Sequence, residues 1–324
     1  MLYLSRLILK NWRNFRSVEI PLQLRVFIIG PNASGKSNIL DAIRFLRDTC
    51  KTGGGLQYAV QSVRGGLSKI RSLFARDPSD VQIGCEISDD SDGSVVWKYE
   101  LVLNQAGGGV QKTHAVVKSE KVWKDGGLVF DKATAEDPTD PKLQEYTWLE
   151  QPLANRDFRE VAEFFDSVRY LHLVPQLVKD PGRQRSGVAG EDYFGSDFIS
   201  RASKLNQKTR NSHFRRIERA LQVAVPQFRD LTLVPDEHGR PHLQTSFKHW
   251  RPQGARQWED QFSDGTIRLV GFLWALLEGR GPLLLEEPEL SLHSAIVVNL
   301  AEIIAKLQRR VEAVAEVTRA VHEV

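Results

Sequence analysis

Two spacings of apolar residues run along this chain, and the changes from one to the other mark its elements. Leu2–Leu9 and Val26–Ile29 are short apolar or alternating runs that predict strands, the second ending at Gly30. In Ser37–Arg47 the residues Ile39, Leu40, Ile43 and Leu46 fall on one helical face, with Asp41, Arg44 and Arg47 elsewhere. From Val81 to Trp148 the texture turns to β: Val81–Ile87, Ser94–Leu103, Thr113–Trp123 and Gly127–Phe130 are rich in β-branched and aromatic residues. Turn clusters at Asp89–Gly93, Gly107–Gly109 and Asp125–Gly127 part them into a small antiparallel sheet, with Ala133–Pro141 as a surface loop. Asp157–Phe165 predicts a helix, Val168–Val174 a strand, and Asp197–Val225 one long helical stretch ended by Pro226. Leu231–Trp250 predicts a β-ribbon turning at Asp236–Gly239. Ile267–Leu277 reads as a buried helix, Pro282–Leu285 as a buried strand and Ala295–Arg310 as an amphipathic helix.

Composition changes this picture in three places. A chain of 324 residues that is 41% hydrophobic has enough apolar surface for a sizeable core without staples. Its longest oily run, Leu269–Leu277, is well short of the roughly 20 residues a spanning helix needs, and Met1–Arg16 is broken by Arg6, Lys10, Arg13 and Arg16. No membrane association is expected. Two cysteines, Cys50 and Cys85, make neither a disulfide framework nor a metal-ligand spacing, so a reduced, cytoplasmic setting is expected. The formal charge of +3 is too small to argue for a nucleic-acid partner, which has to be argued from local patches.

Three motifs carry chemistry. Gly30-Pro31-Asn32-Ala33-Ser34-Gly35-Lys36-Ser37 is a full G-x-x-x-x-G-K-[ST] between a predicted strand and a predicted helix. Glycines let main-chain N–H groups curl around phosphate oxygens, Lys36 reaches the β- and γ-phosphates, and the Ser37 hydroxyl binds magnesium. The positive end of the helix starting at Ser37 and Asn38 points at the same anion. Leu283-Leu284-Leu285-Glu286-Glu287-Pro288-Glu289 is an apolar strand ending in adjacent carboxylates. Glu286 is assigned to the metal, and Glu287 to general base or water orientation. Phe262-Ser263-Asp264-Gly265-Thr266 directly precedes the apolar helix, where Ser263 or Asp264 either caps that helix or grips a phosphate of another subunit.

Together these motifs resemble the RecF-like and SMC-like ATPases of the ABC superfamily, over roughly residues 1–310. The opening Leu9-Lys10-Asn11-Trp12-Arg13-Asn14-Phe15 is similar to the first strand of that family, and Leu292-His293 also fits its pattern. The resemblance implies an α/β fold: a P-loop NTPase head with a mixed central sheet, an antiparallel β subdomain and a mainly helical second lobe. Residues 1–176 and 261–310 would form the nucleotide-binding lobe, with the β subdomain at about 80–150. Residues 177–260 would form the inserted helical lobe and 311–324 an atypical tail. It implies ATP and Mg2+ as cofactors and a homodimer with ATP sandwiched between heads, Ser263, Asp264 and Gly265 of one protomer contacting nucleotide held by Lys36 of the other. It implies that Arg13 approaches the phosphates, and that Gln176 links the lobes and senses magnesium, against the alternative of an ordinary loop glutamine.

The family pattern breaks at the end. A core strand closing in Ser/Thr-His is expected there, but Val314, Val317, Val321 and Val324 suit a helical stripe, and a truncated or altered terminus is the expectation. The leading expectation is therefore a Mg-dependent ATPase acting in DNA repair, DNA maintenance or phage defence. The alternative is a nucleotide-binding regulator or scaffold with little turnover. DNA is a candidate partner through Arg201, Lys204, Lys208, Arg210, Arg215, Arg216 and Arg219, and through His242, Lys248, His249, Trp250, Arg251, Arg256 and Trp258. An ordinary solvated helix face and β-ribbon is the competing reading. A partner nuclease or effector protein is a further candidate. The inserted β-sheet argues against a transporter ATPase.

Overall fold

In the computed structural model the first strand, β1 (Leu2–Trp12), outruns its prediction, because its ladder with the strand that follows runs on to the Trp12–Phe15 pair, and Leu7, Leu9 and Trp12 are fully buried. The structure describes residues 1–76, 79–107, 113–135, 140, 142–180, 193–222, 225–247, 255–279, 281–294, 296–304 and 307. The chain divides into two compact units, Met1–Arg169 and Tyr170–Val324.

The first unit is built on one antiparallel sheet. After β1 come β2 (Phe15–Pro21), β3 (Val81–Asp89), β4 (Val95–Ala106), β5 (His114–Lys124) and β6 (Gly127–Asp131), in the order β2-β1-β3-β4-β5-β6. The sheet expected at Val81–Phe130 is therefore larger, since β1 pairs with β3 and sets Leu7 opposite Cys85 and Leu9 opposite Ile83. Strand β2 escaped prediction because it buries none of its residues and so lacks an apolar face. Helix α1 (Lys36–Cys50) buries Ala42, Ile43, Phe45 and Leu46, and the Phe45 ring meets Trp12 edge-on at 5.5 Å. Short helices α2 (Leu67–Ile70) and α3 (Lys132–Ala135) lie in the connections, and α4 (Arg159–Asp166) packs on α1.

One prediction fails here. Val26–Ile29 forms no strand: Phe27 is about half exposed and Ile29 is 92% exposed. A strand exists only within a ladder, and none of β1 to β6 pairs with this segment. The P-loop is thus entered from chain without regular structure.

The second unit begins within β7 (Arg169–Leu171). It continues through α5 (Pro175–Lys179), α6 (Phe198–Lys204), α7 (Gln207–Leu221), β8 (Phe228–Pro235), β9 (Pro241–Phe247), β10 (Ala255–Trp258), α8 (Asp264–Glu278) and β11 (Leu283–Leu285). Strands β8, β9 and β10 form an antiparallel sheet whose β8–β9 turn is the predicted one, and β11 pairs with β7. The predicted Val168–Val174 strand is shorter: it pairs with β11 only over β7, after which the His172 and Val174 N–H groups donate to the Tyr193 and Phe194 carbonyls. The single helix expected over Asp197–Val225 is two. Asn206 adopts a non-helical conformation and its side chain accepts from the Thr209 N–H at 2.8 Å, which ends one helix and caps the next. Helix α8 is the spine of this core, with Ile267, Val270, Leu273 and Trp274 fully buried and Phe214 5.4 Å from the Trp274 ring. Residues 296–304 are helical and bury Leu300, Ile303 and Ile304, while the expected tail at 311–324 lies outside the described residues.

Candidate functional site

The P-loop is an exposed turn closed by its own lysine. Lys36 Nζ donates to the carbonyls of Gly30 at 2.7 Å and Pro31 at 2.8 Å, spanning the loop it belongs to. Ala33 and Gly35 take left-handed conformations, at φ 63° and 103°, and bend the chain into the first turn of α1. That turn carries no acidic residue and its Ser37 is exposed, so an anion meets the helix N-terminus without a competing carboxylate.

The β1–β2 hairpin braces this loop. The Asn14 side chain donates to the Ser34 carbonyl at 3.2 Å and accepts from the Asn38 amide at 2.8 Å. Arg13, at the tip of the hairpin with φ 52°, pairs with Asp41 at 3.0 Å and donates to the Lys69 carbonyl. Behind it, Arg64 bridges Asp41 at 2.8 Å and Asp48 at 3.0 Å, and Arg47 pairs with Asp48 at 2.9 Å. Burial works against the Asp41 carboxylate, but Arg64 and Arg13 outweigh it and hold its pKa below the usual value. The first turns of α1 are therefore fixed from below by ion pairs. Trp12, Asn14, Asp41 and Arg64 were not singled out by the sequence, since their partners lie far along the chain.

The acidic motif and the signature residues belong to the second unit. The Glu286 N–H donates to the Leu171 carbonyl at 3.1 Å as β11 ends, and the Tyr170 hydroxyl donates to the Glu286 carboxylate. Glu287 takes the left-handed region at φ 47°, which turns the chain sharply after Glu286. Ser263 caps α8: its Oγ accepts from the Thr266 N–H at 3.1 Å. Asp264 accepts from Gln176 at 2.8 Å and from Lys179 at 2.7 Å, so Gln176 lies against the signature loop. A Cβ added to Gly265 would lie 2.7 Å from the Ser291 carbonyl oxygen, which makes glycine necessary there.

Hydroxyl and carboxylate oxygens suit a hard divalent cation, and magnesium takes only one or two such protein ligands beside phosphate and water. Ser37 in the first unit and Glu286 in the second each offer an oxygen of that kind, and the Tyr170 hydroxyl fixes the direction of the Glu286 carboxylate. Among the described residues no three His, Cys, Asp or Glu side chains converge on one point. Of the basic and aromatic patches, Lys204, Lys208, Arg215 and Arg219 are exposed. Arg201 is paired with Asp197 and Glu278, and Arg216 donates to the Leu307 carbonyl. His242 stacks on Trp258 at 4.7 Å and meets Glu259 at 2.6 Å. Lys248, His249, Trp250 and Arg251 lie outside the described residues. No helix among the described residues is long and apolar enough to cross a membrane.

The chain is similar in sequence and fold to known proteins. The sequence matches the family described as "AAA domain, putative AbiEii toxin, Type IV TA system" over residues 25–316. A stretch of 63 residues is 40% identical to the DNA replication and repair protein RecF of Rickettsia canadensis (strain McKiel), covering 16% of this chain and 18% of that protein. Among solved structures, the SmcHead bound to the C-winged helix domain of ScpA aligns with a TM-score of 0.51 at 15% identity, over 95% of this chain and 87% of that one. The recombination mediator protein RecF with ATP aligns over 94% of this chain and 91% of that one, at 16% identity and a TM-score of 0.35. With the match spanning most of its length, the chain belongs to this AAA-domain family, and its fold is similar to that of the SmcHead.

Proposed function

We propose that the protein binds Mg-ATP at Gly30–Ser37 and hydrolyses it, and that ATP closes two copies into a head dimer serving DNA maintenance or defence. The observation that carries this reading is the lysine-spanned loop at an acid-free helix N-terminus. Main-chain N–H groups of the loop and Lys36 hold the phosphates. Ser37 and Glu286 hold the cation, which when bound neutralises charge on the phosphate oxygens. Glu287 accepts the proton of the attacking water. Ser263, Asp264 and Gly265 at the start of α8 contact the nucleotide of the second copy, where the positive helix end favours phosphate. Arg13 approaches the phosphates, and Gln176 senses the magnesium. The exposed stripe Lys208, Arg215 and Arg219 on α7 supports DNA as the partner, through phosphate contacts.

Light scattering and phosphate release test the reading on the wild type, Lys36→Ala and Glu287→Gln. The expected outcome is a dimer mass for Glu287→Gln in Mg-ATP, with a monomer and no turnover for Lys36→Ala. A Glu287→Gln variant that stays monomeric removes the head dimer. Phosphate release indifferent to Lys36→Ala removes the ATPase.

A further inference from the structure

Arg268 is a buried cation with no bonded partner among the described residues. It lies on α8 just after the signature residues and is 6% exposed, and its Nε and Nη1 atoms are buried without a hydrogen bond. A guanidinium in that condition is costly, and a nearby carboxylate that turns toward it would relieve the cost. The small cavity beside it is bounded by Leu171, Phe272, Leu285, Glu286 and Pro288, so the acidic turn forms one wall. Burial lowers the pKa of the guanidinium, and the charges of Asp264, Glu287 and Glu289 oppose that shift. None of the three carboxylates is hydrogen-bonded to it, and Asp264 is already taken by Gln176 and Lys179. The start of α8 also touches the acidic turn directly, since Gly265 sits under the Ser291 carbonyl.

We propose that Arg268 is a positioning residue that ties the acidic turn to the signature helix by drawing the Glu287 carboxylate toward α8. Glu287 stands in a left-handed conformation, so its direction is set by a strained backbone and needs a hold. With that hold, a phosphate contact at Ser263 and the aim of Glu287 become parts of one rigid piece. The inference rests on the ATPase reading above.

Two substitutions test it. Arg268→Met keeps an unbranched chain and removes the charge, whereas Arg268→Lys keeps the charge. The Met variant is expected to lose about tenfold or more in kcat with KM for ATP within about twofold, and Lys to recover part of the loss. Its melting temperature is expected at or above that of the wild type, since an unpaired buried charge is replaced by an apolar chain. Unchanged kcat, or a joint fall of kcat and melting temperature with a rise in KM, overturns the proposal. A second readout needs no turnover: the melting temperatures of Arg268→Met, Glu287→Gln and the double variant. Shifts that fail to add by about 2 °C or more support the link, and additive shifts overturn it. If phosphate release by the wild type does not depend on Lys36, the ATPase reading fails, while the melting cycle still decides whether Arg268 and Glu287 are linked.

Discussion

The indole N–H of Trp12 donates to the main-chain carbonyl of Asn38 across 2.9 Å. This bond joins the end of the first strand to the first turn of the helix that follows the P-loop. The same indole is fully buried against Phe45, so the hairpin tip and α1 share one piece of core. Asn14 and Arg13, next along the hairpin, then reach the loop and Asp41. A phosphate-binding loop has to be held before the anion arrives, and here the hairpin holds it.

Gly35→Ala should weaken nucleotide binding by roughly ten- to a hundredfold. The residue has φ 103°, and a Cβ there would lie 2.5 Å from Asn14 Nδ2 and 2.6 Å from the Phe15 ring. Both the backbone strain and the displacement of the brace act against the loop, at a cost of about 1–3 kcal/mol. Calorimetric titration with ATP checks the affinity and urea unfolding the stability.

Asp48→Ala should destabilise the protein by roughly 3–5 kcal/mol, because it strips a carboxylate from two buried arginines, Arg47 and Arg64. Asp89→Ala, at the end of β3 and paired with the N-terminal amine, serves as the surface comparison and should cost far less. Denaturant midpoints at constant slope measure both.

Stability should fall as pH rises from about 5 to about 7. Burial pushes the Glu150 carboxyl up from 4.5 to about 7, with the charge of Glu120 adding to the rise and the Leu56 N–H opposing it. The folded chain therefore keeps a proton that the unfolded chain has released. This contribution is fully present below the ordinary carboxylate pKa and is lost as pH climbs through the folded value. Glu120 is also raised by burial and adds a slope of the same sign. Glu150→Gln should flatten part of the profile measured by urea unfolding between pH 4.5 and 7.5.

Gly265→Ala should separate nucleotide binding from turnover. The added methyl would strike the Ser291 carbonyl at 2.7 Å and force the start of α8 away from the acidic turn, at about 1–3 kcal/mol. ATP affinity should stay close to wild type, since the P-loop belongs to the other unit, while phosphate release falls. Gly127→Ala is the control, because its Cβ would meet the Lys124 carbonyl at an ordinary 3.5 Å.

Some of this was legible without coordinates. The helical face of α1, the alternation of β3, β4 and β5, the turn at Asp236–Gly239 and the P-loop composition are written in residues a few positions apart. Local spacing selects those elements because their hydrogen bonds or side-chain faces repeat over that distance. The break at Asn206 was harder to see, since helical spacing continues through it and only the cap marks the stop.

What remained for the tertiary structure was the choice of partners. Whether β1 joins β3, whether Val26–Ile29 finds a ladder, and whether Arg13 meets Asp41 depend on residues tens of positions away. Arg268 makes the point most sharply: its charge is plain in the sequence, but its burial without a bonded partner beside the acidic turn is not. Sequence alone thus determined which residues can bind a phosphate, cap a helix or alternate across a sheet, because those capacities are properties of short segments. Folding decided which of them meet and which are left waiting for a counter-charge, because ladder pairing and desolvation are settled only when distant segments share a core.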